Sequence, residues 1–218
     1  MRRAILLGIF IGLGLLLVAD ALAARLGLVS GAMPSVAGPF AWITSRAGGI
    51  AAFLALTLDL VFGLLLSTGR ADRLISRAQS LEVHRWLGSA TLALMAVHVL
   101  ALTADRIVRL DLLDALVPFL SSYRPLAVGL GVLAAYGAIT VQLSFSFRRH
   151  IGVKTWRKLH ALSFLVFAGA IAHGVLAGTD SGSPAVQIMY GIAAVLVLGL
   201  SWERILRTGR RWSSKPAS

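Results

Sequence analysis

Six runs of predominantly apolar residues, each near the ~20 needed to cross a hydrocarbon core of ~30 Å, constrain what this chain can fold into more than any other feature. They occupy residues 4–24, 48–66, 86–103, 125–147, 159–178 and 184–202. A segment that crosses lipid must satisfy its own backbone polar groups, and for single runs of this length the helix does so. The expected fold is therefore all-α: a polytopic membrane bundle of six transmembrane helices, forming a single domain over residues 1–218. Only 14% of residues are charged while 57% are hydrophobic, against roughly 25% charged in soluble domains. A water-soluble core could not hide that much apolar surface.

The basic residues sort onto alternate connections. Arg2 and Arg3 precede the first run; Arg70, Arg73, Arg77 and Arg85 follow the second; Arg148, Arg149, Lys154, Arg157 and Lys158 follow the fourth; Arg204, Arg207, Arg210, Arg211 and Lys215 follow the sixth. Only Arg25, Arg46, Arg106, Arg109 and Arg124 belong to the other side. The positive-inside rule then puts both termini in the cytoplasm, in a bacterial-type plasma membrane. The net charge of +12 is accounted for by this clustering at segment ends and by lipid headgroups, without a nucleic acid partner. With no cysteine, disulfides, thiolate metal sites and cysteine-ligated iron–sulfur clusters are excluded.

The N-terminal run, ending in Ala21-Leu22-Ala23, imitates a cleavable secretory signal. Its apolar stretch is long enough to span, and a retained helix is expected; cleavage would leave five. The connection over residues 25–41, with Pro34 and Pro39, reads as irregular. The connection over residues 104–124 carries Asp105, Asp111 and Asp114, and a short interfacial helix is expected at residues 111–120.

Four of the five histidines form two matched pairs: His84 with His98, and His160 with His173. Each pair begins at the basic edge of a run and ends deep inside it. On a helix, the step from His84 to His98 falls about 40° short of four turns and rises about 21 Å, so both rings share a face at two depths. The step from His160 to His173 leaves the rings about 140° from a common face, a mismatch that tilt or a π-bulge must absorb. The third and fifth helices both start inside and run parallel, which sets His84 beside His160 and His98 beside His173. Imidazoles paired at two levels of a helix pair suit the axial ligation of two haems, through which electrons cross a bilayer. Imidazole also binds zinc, copper and nickel, so a haem-free transporter or divalent metal carrier using the same histidines is the alternative. Such a protein would have two separate sites and few carboxylates to complete them. His150, in the basic connection over residues 148–158, reads as a solvated loop residue.

The stretches Ser45-Arg46-Ala47-Gly48-Gly49, His84-Arg85 with His98, and Trp156-Arg157-Lys158-Leu159-His160 with His173 resemble the ferric-reductase-like transmembrane domain. That domain is shared by NADPH oxidases, metalloreductases and the haem subunit of the bacterial methionine sulfoxide reductase system. The resemblance covers about residues 40–204. It implies two b-type haems between the third and fifth helices, with electrons passing from inside to outside. In the oxidases and metalloreductases of that family a flavin- and nicotinamide-binding portion follows the last helix. Here about fifteen residues follow Glu203, and no G-x-G-x-x-G turn stands at a strand–helix junction. Gly129-Leu130-Gly131 lies inside an apolar run and reads as helix packing. The expectation is an electron-transfer subunit of an oxidoreductase, most similar in architecture to the methionine sulfoxide reductase membrane subunit. Its electrons come from a cytoplasmic reductase, a reduced flavin or a quinol, and go to an acceptor outside.

Within this reading Arg46, beside Gly48-Gly49, is placed to pair with a propionate of the outer haem, with a snorkelling role as the alternative. Arg124 is a second candidate on that side, and Arg85 serves the inner haem. Asp59 is the one carboxylate deep in a run; it faces the bundle interior as a proton relay, a partner of a ligand histidine or a helix contact. Trp156 and Trp202 read as interfacial anchors.

Overall fold

A computed structural model of the chain describes residues 38–73, 75–105 and 110–213. The first expected span, its signal-like end, most of the 25–41 connection, Arg106, Arg109 and the tail after residue 213 lie outside the described residues. The helices are α1 (Gly38–Thr68), α2 (Arg77–Ala104), the short α3 (Leu112–Leu116), α4 (Pro125–Ser146), α5 (Arg148–Ala161), α6 (Ser163–Ala177) and α7 (Pro184–Ser213), with a 3₁₀ turn at Ala71–Arg73. No strand occurs among the described residues. Five stretches are long and apolar enough to span a membrane: Phe40–Thr68, Arg77–Ala104, Pro125–Ser146, Arg148–Ala177 and Pro184–Arg207. They are the second to sixth of the expected runs.

The helices outrun the apolar runs that predicted them. α2 begins at an N-cap, Ser76, whose hydroxyl accepts from the Gln79 N–H while the Gln79 side chain accepts from the Ser76 N–H. His84 therefore sits two turns inside the helix. α1 begins at Gly38, so the last residues of the expected irregular connection are helical; Pro39 is tolerated because the first turn needs no N–H from it. The expected loop over residues 148–158 is helical too, broken only at Gly152, whose φ of 78° and ψ of 156° suit glycine alone. The interfacial helix expected at residues 111–120 shrinks to Leu112–Leu116, capped by Asp111 and Asp114.

Between α5 and α6 the Leu162 N–H reaches the Leu159 carbonyl at 3.0 Å, an i→i−3 bond, before Val166 resumes the α pattern onto Leu162 at 2.9 Å. A 3₁₀ step turns about 120° per residue instead of about 100°. The tightened turn thus adds rotation in the sense the His160–His173 spacing lacks; of the two expected devices, tilt or a π-bulge, the second is replaced at this junction by its opposite.

α1 is the central helix, packed on α2, α6 and α7. Phe53, Leu60 and Leu64 of α1 are buried with Phe167 of α6 and with Ala193 and Val197 of α7. Phe53 stacks on Phe167 at 5.8 Å and meets Tyr190 edge-on at 4.8 Å. The outside is as apolar as the inside: Leu165, Val195 and Leu198 are 70%, 71% and 68% exposed, as lipid-facing side chains should be. At the basic end Glu203 of α7 binds Arg70 at 2.9 Å and Arg207 at 2.7 Å, and Arg207 reaches the Thr68 carbonyl at 3.3 Å, tying α7 to the end of α1.

Candidate functional site

The four histidines meet as two opposed pairs between α2 and the α5–α6 rod. His84 faces His160 with ring centroids 5.9 Å apart and planes crossed at 85°. His98 faces His173 at 6.3 Å and 80°. The pairing keeps the same order along α2 and along the α5–α6 rod, so the two run parallel. His150 is exposed on α5.

Three of the rings are seated alike. Nδ1 of His98 lies 2.6 Å from the Ser45 carbonyl, Nδ1 of His84 lies 3.1 Å from the Asp59 carbonyl, and Nδ1 of His173 lies 2.8 Å from the Ala127 carbonyl. Each acceptor is followed four residues later by a glycine under the ring: Gly49, Gly63 and Gly131. A Cβ there would stand 2.9 Å from Nδ1 of His98, 3.2 Å from Cε1 of His84 and 2.5 Å from Nδ1 of His173. The glycine lets the ring reach a carbonyl that side chains would otherwise cover. Donation from Nδ1–H fixes the tautomer and leaves Nε2 with its lone pair free. His160 is held differently, stacked on Trp156 at 5.2 Å and 24°.

Two imidazole nitrogens each about 2 Å from one metal ion put the ring centroids about 6 Å apart, the separation of both pairs. A cavity of about 250 Å³ flanks His98 and His173, with walls mainly of hydrophobic side chains including Phe53, Leu56, Val132 and Val166. These donors and this wall fit a flat, largely apolar macrocycle whose metal needs two axial nitrogens.

Arg46 lines the same cavity, but its guanidinium is paired with Asp180, with Nε 2.6 Å from Oδ2 and Nη2 on Oδ1. The sequence reading missed Asp180, which sits in the polar connection between α6 and α7; its one signal is a lone acid opposite an outer-end arginine. Arg124 binds the Leu176 carbonyl at 2.6 Å, capping the end of α6. Arg85 lies over the Phe145 ring at 4.5 Å. Asp59 does face the bundle interior, with Oδ1 2.7 Å from Nδ1 of His84. The Nδ1–H points to the Asp59 main-chain oxygen, so that buried Oδ1 has no aligned hydrogen bond.

Fold and site define a multi-pass helical membrane protein built around imidazole pairs at two levels of one helix pair. The chain belongs to the ferric reductase like transmembrane component family, whose model matches residues 48–171, more than half of its length. It is thus a membrane component of oxidoreductase type. The matched stretch holds Asp59, His84, His98 and His160 and stops two residues short of His173. Searches of curated proteins and of solved structures gave no match.

Proposed function

We propose that this protein carries electrons across a membrane as a bis-histidine di-haem b cytochrome, the membrane subunit of a reductase system. The carrying observation is the two pairs of opposed imidazoles, at 5.9 Å and 6.3 Å, three of the four rings with Nδ1 turned to a carbonyl of another helix. Haem b bound at both levels would supply one-electron ferric–ferrous chemistry. His84 and His160 would hold one group, His98 and His173 the other, about 21 Å apart along α2. The carbonyl seats of His84, His98 and His173 leave their Nε2 atoms free to bind, and the apolar bundle keeps water from the path. The basic end, by its charge, lies in the cytoplasm with both termini, so electrons enter at His84–His160 and leave at His98–His173. Donors of the right chemistry are a cytoplasmic reductase, a reduced flavin or a quinol; the acceptor is external.

A divalent metal carrier would need a third protein ligand at each site. Among the described residues no three of His, Asp and Glu converge on one point, whereas a macrocycle supplies its own equatorial nitrogens and asks only for two axial ones. The test is haem content of purified single variants. His98→Ala or His173→Ala should remove one haem of two, His84→Ala or His160→Ala the other, and His150→Ala neither. Four variants that each retain two haems per chain would refute the assignment.

A further inference from the structure

The two levels differ in a way that electron transfer itself does not require. His98 and His173 lean on neutral main-chain carbonyls, at 2.6 Å and 2.8 Å. His84 adds to its carbonyl a carboxylate, Asp59 Oδ1, 2.7 Å from Nδ1 and buried. Gly88 of α2 lies beside it: a Cβ there would crowd Gln142 Oε1 at 2.8 Å and make only ordinary contact, at 3.5 Å, with Asp59 Oδ2. A charge this deep in a span is costly to keep, and its nearest neighbour is the imidazole.

We propose that Asp59 is a positioning residue that sets the His84–His160 centre at a lower reduction potential than the His98–His173 centre. The inference rests on the di-haem reading. The Asp59 carboxylate, 2.7 Å from Nδ1 without an aligned hydrogen bond, acts through its negative charge: it opposes the added electron and so favours the ferric state, and in a low-dielectric, unscreened interior that effect is large for its distance. Arg204 of α7 acts on His160 with the opposite sign, but it is exposed on the helix surface and partly screened by water. Exchange of one electron between the centres makes and breaks no bond and moves no proton; the ferrous centre is oxidised and the ferric one reduced. With the lower potential at the basic end, the path runs downhill away from it, and electrons delivered there by a reduced flavin or quinol do not return.

Equilibrium redox titration of the haem-loaded full chain tests this. Two midpoints are expected, the lower surviving in His98→Ala and the higher in His84→Ala. Asp59→Asn should keep both haems and raise only the lower midpoint, by a tenfold or greater change in that centre's one-electron equilibrium, ~59 mV. Asp59→Glu should restore most of the gap. Two haems whose lower midpoint is unmoved by Asp59→Asn, or a lower midpoint that disappears with His98→Ala, would overturn the inference while leaving the di-haem reading intact. A chain that binds no haem would overturn both. The assignment of midpoints by the histidine variants stands even if Asp59→Asn does not fold.

Discussion

Ser45, Asp59 and Ala127 each offer a main-chain carbonyl to an imidazole from another helix, and in each case the residue one turn on is glycine. The closeness of each ring to its glycine ranks the damage a methyl group should do. Gly131→Ala, with 2.5 Å to His173 Nδ1, should cost most, Gly49→Ala less and Gly63→Ala least. Haem occupancy of the corresponding level should fall in that order, by more than half at Gly131, with the other level retained. The ring planes give a second, spectroscopic expectation. Were the two pairs to hold haem as proposed, imidazole planes crossed at 85° and 80° would make ferric iron strongly anisotropic, so low-temperature EPR should show low-spin signals dominated by one large g value; a near-parallel ligand signature would contradict that reading. The histidines themselves were legible, because a titratable ring at matched depths in apolar runs stands out. Their seats were legible only in part. Gly49 and Gly131 were visible as close-approach or packing glycines, but only the fold tells which ring each one admits. Asp180 escaped notice because nothing local ties it to Arg46, 134 positions away.

At the level of elements, the α5–α6 junction decides whether one rod can serve both levels. The i→i−3 turn at Leu162 supplies rotation between His160 and His173 that a straight helix lacks. One alanine inserted between Leu162 and Ser163 should swing His173 by about 100° and shift it about 1.5 Å. It should abolish the His98–His173 centre and spare His84–His160, read as one haem in place of two. Retention of both would mean that the junction does not set the phase. Hydrophobic runs located the spans well, since lipid enforces them. They located helix ends poorly, because hydrogen bonding continues into the headgroup zone. There capping at Ser76 or a glycine at 152 does the punctuation, and an arginine-rich stretch such as α5 looks like loop to a hydropathy argument.

Across the whole molecule, the charge asymmetry predicts sidedness. A reporter active only in the cytoplasm should work when fused after Ser218 and fail when inserted near Asp111; labelling of the His150 region from the periplasm would reverse the direction of electron flow argued above. The packing carries one more consequence. α1 lies closely along α2, and α4 along α6, while α2 and α6 have little direct packing apart from their facing rings. The bundle is thus two helical hairpins joined on one side by the α1–α6–α7 core and facing each other across the histidines on the other, where any group clasped by those rings would add a second tie. On the di-haem reading, insertion of the cofactor would be a late step of biogenesis, and membranes starved of haem should accumulate a loosened, protease-sensitive chain. Two fragments divided in the connection between α2 and α4 should reassociate through the α1–α6–α7 core when co-expressed, and should copurify in higher yield when the cofactor is supplied.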